Sequence, residues 1–189
     1  ESYEYLLNKY CLSRFAKDAY KQNVGNGWLS ARPYQSVEIL SADTDVKNNV
    51  ENGVLKFTYG TSNNEFSPMV QLTREVNVND IYSLDVTVRL EGDVRTPDNN
   101  RNIVFYSSNA GRDGLYTSGA KTQNAIVGAD YATISITNRD LLNQMADSDG
   151  YIRKIQMELF SNKKAELYLY IADISYTPVT YSVSVEGGS

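Results

Sequence analysis

Ile81-Tyr-Ser-Leu-Asp-Val-Thr-Val-Arg-Leu90 decides the fold class. Tyr82, Leu84, Val86, Val88 and Leu90 recur at every second position, with Ser83, Asp85, Thr87 and Arg89 between them. Successive side chains of an extended chain point to opposite faces, so the stretch predicts a strand with one buried and one wet face. Tyr82 falls in phase with the buried set and is expected to be structural. Just upstream, Met69–Val78 repeats the period in two pieces, Val70/Leu72 and Val76/Val78, and the change of phase at Thr73-Arg74-Glu75 predicts a β-bulge. One-sided alternation is the habit of antiparallel sheets packed face to face. The fold class expected is all-β: a two-sheet antiparallel sandwich of jelly-roll type with one N-terminal amphipathic α-helix.

Outward from this stretch, the same alternation predicts strands over Val37–Leu40, Val54–Tyr59, Asn102–Ser107, Tyr131–Thr137, Tyr151–Phe160, Leu167–Tyr176 and Tyr181–Val185. Asn52-Gly53, Glu91-Gly92-Asp93 and Asp149-Gly150 supply tight-turn chemistry between them. Asn138–Met145 has the makings of one or two helical turns. Tyr3, Leu6/Leu7, Tyr10/Cys11, Phe15 and Ala19 recur at helical spacing, which predicts a helix over residues 3–22 whose apolar stripe covers an outer face of the sandwich. The expected organisation is therefore residues 1–23 as a helix packed on the sandwich, 24–186 as the β-sandwich domain, and 187–189 (Gly-Gly-Ser) as a linker stub of a larger multidomain protein.

The 189 residues, 41% of them apolar, suffice for one domain with a sizeable core. No apolar run approaches the ~18 residues of a membrane span, so membrane insertion is not expected. A net charge of −5 disfavours nucleic acid and anionic lipid as partners, since both are met by a positive face. The single cysteine, Cys11, excludes an intrachain disulfide, and the absence of histidine excludes Ser-His-Asp and Cys-His machinery and imidazole metal sites. Asp147-Ser-Asp149-Gly150 fails the EF-hand pattern at its first and twelfth positions and reads as a turn. Asp43-Thr-Asp45 reads as a solvated loop. No carboxylate pair is singled out for acid–base work, so the expectation is a protein that is not an enzyme.

Four segments carry a family resemblance: Gly27-Trp28 ahead of Val37-Glu-Ile-Leu40; Asn52-Gly-Val-Leu-Lys-Phe57; Val70-Gln-Leu72 through Asn79-Asp-Ile-Tyr-Ser-Leu-Asp-Val-Thr-Val88; and Leu169-Tyr-Ile-Ala-Asp-Ile-Ser175. Their order over residues 24–178 resembles the jelly-roll, galactose-binding-like carbohydrate-binding modules of bacterial polysaccharide-degrading systems, with Val70–Val88 similar to that group's central hairpin. The resemblance implies a non-catalytic domain that attaches a secreted or cell-surface bacterial protein to a polysaccharide or oligosaccharide: starch and other α-glucans, plant cell-wall glycans or mucin glycans. It also implies a structural calcium, with Asp173 at the position of the terminal-strand ligand; Ala172 stands where the group often has an acidic residue.

Fifteen tyrosines form an unusual aromatic supply. Rings beside amides and charges suit the C–H faces and hydroxyls of sugars, although Tyr is also a good half-buried strand residue. Two long loops, 60–67 and 107–128, exceed what folding requires. The glycan contacts expected are Trp28 or Tyr34 as the stacking ring, with Asn63, Asn64, Arg112, Tyr116 and Gln123 bonding hydroxyls. Trp28 reads equally as scaffold. Leu167–Tyr176 is apolar on both faces, Leu167/Leu169/Ile171 on one and Tyr168/Tyr170/Ile174/Tyr176 on the other; the tyrosine side is expected to receive the N-terminal helix, with a ligand surface as the other reading. The competing function is a surface adhesin or spacer domain, which predicts no continuous exposed aromatic platform.

Overall fold

The computed structural model describes residues 10–13, 36–47, 49, 52–59, 65–66, 68–92, 102–107, 121–160 and 166–180. Two antiparallel sheets face each other. The first has the strand order β1 (Ser36–Leu40), β2 (Val54–Tyr59), β10 (Leu167–Pro178), β5 (Ile81–Gly92), β8 (Ala132–Ile136). The second runs β3 (Glu65–Phe66), β9 (Tyr151–Phe160), β6 (Asn102–Tyr106), β7 (Thr122–Ile126), and β4 (Met69–Asn77) pairs with β9 beside β3. The core lies between them, built by the inward residues of the alternating strands: Leu55 and Phe57, Leu84 to Leu90, Ile103 and Phe105, Ile155 to Leu159, and Leu167 to Ile171. Among the described residues no helix is long and apolar enough to cross a membrane.

The expected bulge on β4 is present. From Gln71↔Lys154 to Val76↔Ile152, β4 advances further than β9, which leaves Leu72–Glu75 out of register. A 3-10 turn, Val78–Asp80, then carries the chain from one sheet to the other, with the Asn77 side chain accepting from the Asn79 N–H. β4 and β5 therefore do not form the hairpin that the resemblance implied: β4 pairs with β9, and β5 with β10 and β8. Arg139 holds the crossing by donating to the carbonyls of Val78 (3.1 Å) and Ile81. It opens α1 (Arg139–Met145), the short helix expected between strands, whose N-cap is Asn138 and whose Leu141, Leu142 and Met145 are buried.

Four expectations are corrected. Ile174 is not on the outer tyrosine face but in the core, because the register steps from Ile171↔Val88 to Asp173↔Thr87 and the extra residue Ala172 shifts the phase of β10. Tyr82 is not in the core but 60% exposed, because the β5–β10 register steps from Ser83↔Thr177 to Ile81↔Pro178 and Ile81 takes the inward place. The second face of β5 is not simply wet: Ser83 and Thr87 are buried, Ser83 Oγ donating to Asp85 (2.9 Å) and Thr87 bonding Thr133 (2.8 Å). The helix over 3–22 is interrupted where it is described. Cys11 forms a β-bridge to Ser175, the Leu12 N–H donates to the Ile174 carbonyl (2.7 Å), and the Tyr176 N–H donates to the Tyr10 carbonyl (3.1 Å). β2 pairs only with the first half of β10, so the backbone groups of its second half need partners, and Tyr10–Leu12 supply them. The rest of residues 1–23, and the strand expected at 181–185, lie outside the described residues. A further strand, β7, runs within the segment read as a loop from 107 to 128.

Candidate functional site

The outward residues of the first sheet meet in one row. Glu38 pairs with Lys56, Lys56 with Tyr170, and Tyr170 with Arg89, while the Val88↔Ala132 pairing brings Tyr131 beside Arg89. Glu38, Lys56, Tyr170 and Arg89 each stand between two inward positions of their strands, so alternation alone places them outside; Tyr131 immediately precedes β8. Register alone places them together.

Planar and charged groups alternate along this row. The Arg89 guanidinium carbon lies 3.6 Å from the Tyr170 ring centroid and 5.4 Å from that of Tyr131. Lys56 Nζ lies 5.4 Å from the Tyr170 centroid and 4.8 Å from that of Tyr168, one row along. The cations are tied to carboxylates: Arg89 to Glu91 at 3.1 Å and Lys56 to Glu38 at 3.7 Å. Burial acts to lower the Arg89 pKa, and hydrogen bonds with Tyr131 and Glu91 more than offset it. The Tyr131 hydroxyl is held above its ordinary range by burial, with the Asp43 charge adding to the effect. Tyr168 donates its hydroxyl to Glu166. Val46 packs on the Val54, Tyr170 and Ala172 cluster, so residues 41–47 wall one side of the row.

Below the row the face turns to hydroxyls. Asp85 accepts from Ser83 (2.9 Å), Ser135 (2.7 Å) and Thr177 (2.8 Å). On the other sheet the β4 bulge opens a groove of about 580 Å³ lined by Gln71, Thr73, Glu75, Asp147, Arg153 and Lys154 among others. Arg153 is engaged there by Glu75 (2.8 Å), Asp147 (3.1 Å) and Asp149 (2.6 Å), and burial pulls the Lys154 pKa down. None of the described lining residues is aromatic.

Of the residues expected to contact a glycan, Trp28, Tyr34, Asn63, Asn64, Arg112 and Tyr116 lie outside the described residues. Gln123 lies on edge strand β7, where its Nε2 donates to the Ser135 carbonyl (3.0 Å) and ties one sheet to the other. Asp173 is buried, its Oδ2 accepting from Ser175 Oγ (2.7 Å) and its Oδ1 lying 3.9 Å from Cys11 Sγ. The row Lys56, Tyr170, Arg89, Tyr131 was not singled out from sequence. Its one signal was the two-faced apolarity of the last strand, for which helix cover was expected. The described neighbours on that face are cations, tyrosines and the apolar Leu40 and Val46, and Tyr10 packs edge-on against Tyr176 with ring centroids 5.1 Å apart; the rest of the segment expected to cover the face lies outside the described residues.

No protein-family model matches the chain, and no curated protein does. Among solved structures, a family 30 carbohydrate-binding module is similar over 95% of this chain and 89% of its own, at 10% identity and a TM-score of 0.47. The family 11 carbohydrate-binding module from Clostridium thermocellum, in complex with a β-1,3-1,4-mixed-linked tetrasaccharide, matches 77% of this chain and 84% of its own, at 10% identity and a TM-score of 0.43. A β-1,2-glucanase from Parabacteroides distasonis matches 76% of this chain at 14% identity and a TM-score of 0.47, and this chain spans only 21% of its length. At these identities the likeness is one of fold.

Proposed function

We propose that the chain is a non-catalytic carbohydrate-binding domain that attaches a secreted or cell-surface bacterial protein to a polysaccharide or oligosaccharide. The observation that carries this reading is the row of planar groups crossing the first sheet, Lys56–Tyr170–Arg89–Tyr131 with Tyr168 beside it. A sugar ring presents an apolar C–H face bordered by hydroxyls. The partly exposed rings of Tyr131 and Tyr168, with the Arg89 guanidinium over the buried Tyr170 ring, receive the C–H face, while Glu91 and Glu38 at the rim accept from hydroxyls. Because the cations are braced by ring and carboxylate together, the surface is set before a ligand arrives and less ordering entropy is lost on binding. Trp28, Tyr34, Asn63, Asn64, Arg112 and Tyr116 are proposed to add contacts from the loops. Gln123, committed to Ser135, is proposed to act chiefly by fixing the sheet edge.

The test is retention of the purified chain on immobilised starch, plant cell-wall glycans and mucin glycans, followed by product analysis after long incubation. Retention on at least one glycan without new reducing ends supports the reading. Retention on none favours the spacer or adhesin role, and glycan cleavage would show an enzyme.

A further inference from the structure

The resemblance to jelly-roll carbohydrate-binding modules implies a calcium ion beside Asp173. Calcium takes six to eight oxygen ligands, carboxylates and carbonyls above all. Here the chain's own hydrogen-bond donors meet the oxygens that a cation would take. Asn49, fully buried, directs its Nδ2 at the carbonyl of Gly53 (2.9 Å) and at that of Ala172, the residue before Asp173. Its Oδ1 is occupied as well, accepting from the Asp43 N–H (2.6 Å). The Asp173 carboxylate accepts from the Ser175 hydroxyl and faces the Cys11 thiol, which also accepts from Asn52 Nδ2 (3.8 Å). Ser13 Oγ accepts the Ile174 N–H (3.0 Å). Among the described residues no three His, Cys, Asp or Glu side chains assemble into a metal site.

We infer that a side-chain amide does here what a cation would do: Asn49 Nδ2 draws the Gly53 and Ala172 carbonyls together and clasps residues 41–53 to β10 without calcium. Each carbonyl keeps a second lone pair, but both converge on one amide nitrogen, which occupies the position between them that a shared cation would need. The neighbouring Cys11–Asp173–Ser175 contacts extend the clasp to the Tyr10–Ser13 segment, so three stretches distant in sequence meet through donors of the protein's own. The inference concerns how the domain is held and is independent of what it binds.

Thermal unfolding of the purified chain in EDTA and in millimolar calcium tests it, together with calcium calorimetry. The wild-type midpoint is expected to be the same in both, with no binding isotherm. A midpoint raised by calcium, or a saturable isotherm, would overturn the inference. Asn49→Asp replaces the donor with an acceptor between the same carbonyls, and its midpoint is expected to fall in EDTA and rise again with calcium. A calcium-insensitive Asn49→Asp would count against the amide standing in a cation's place. Should Asn49→Asp not fold, Asn49→Ala serves: two buried carbonyls lose their donor, and the midpoint should drop by about 3–10 °C irrespective of calcium. An unchanged Asn49→Ala midpoint would overturn the clasp.

Discussion

The Arg89 guanidinium sits over the Tyr170 ring, its carbon 3.6 Å from the centroid, while bonding Glu91 and Tyr131, so its shape matters as well as its charge. A lysine there keeps the charge and loses the stacking and the fork of donors. Arg89→Lys is therefore expected to cost about 0.5–2 kcal/mol by chemical denaturation, and equal stability would show the stack to be incidental. Asp149 is a second residue whose chemistry is set locally. Hydrogen bonds from Arg153 hold its pKa down at about 2, below the ordinary carboxylate value. A folded-state pKa below the unfolded one means that the contribution is complete above the ordinary value and is lost as pH falls toward 2. The wild type and Asp149→Asn should thus differ most in unfolding midpoint near neutrality and converge at the acid end; a gap that persisted at pH 2 would contradict this. At this scale the sequence was legible for alternation but not for phase. Arg89 was read correctly as outward, yet Tyr82 was placed inward, because the register passes from Ser83↔Thr177 to Ile81↔Pro178 and Tyr82 is the extra residue on β5, a bulge that unbroken alternation in the sequence does not announce.

Elements were legible where burial imposes a pattern. β5, β9 and β10 alternate because one face of each fills the core, and α1 shows its Asn138 cap and its buried Leu141, Leu142 and Met145. The β4 bulge was visible as a break in period at residues 73–75. β7 escaped because Thr122-Gln-Asn-Ala-Ile126 is an edge strand with no buried residue, and Ile126 is itself 71% exposed. An edge strand is specified by its partner's hydrogen bonds, which sequence does not display. The Tyr10–Ser13 segment was misread for the opposite reason: its helical spacing is real, but the edge of β10 that β2 leaves uncovered beyond Ile171 offers backbone bonds that extended chain satisfies. Gly92 closes β5 with φ +108, and a Cβ there would come 2.3 Å from the Glu166 carbonyl oxygen. Gly92→Ala must move that backbone and should destabilise by more than about 1 kcal/mol in equilibrium unfolding. A neutral substitution would mean that the β5 end relaxes freely.

At the scale of the molecule, the sandwich brings together what the chain keeps apart. Glu38, Lys56, Arg89 and Tyr170 come from four strands, and only the β1-β2-β10-β5 order makes them neighbours. That is why the candidate site was largely hidden in the sequence although most of the strands that carry it were not. The Tyr10–Ser13 segment is part of the same assembly: Leu12 is wholly buried in the core, its N–H on Ile174 and its carbonyl accepting from the Thr73 N–H (2.9 Å) and hydroxyl (3.1 Å). Leu12→Ala should cost about 2–5 kcal/mol, measured by denaturant unfolding, and a loss below that range would show the segment to be peripheral. The measurement that tests the central claim most directly is the affinity of Tyr168→Ala for whichever glycan retains the wild type, taken together with its melting temperature. Tyr168 lies one row along, partly exposed, with Lys56 Nζ 4.8 Å from its ring centroid and its hydroxyl on Glu166. A row that receives the sugar predicts affinity weaker by about tenfold, or ~1.4 kcal/mol, with the melting temperature little changed; full affinity in the stable variant would place the glycan elsewhere.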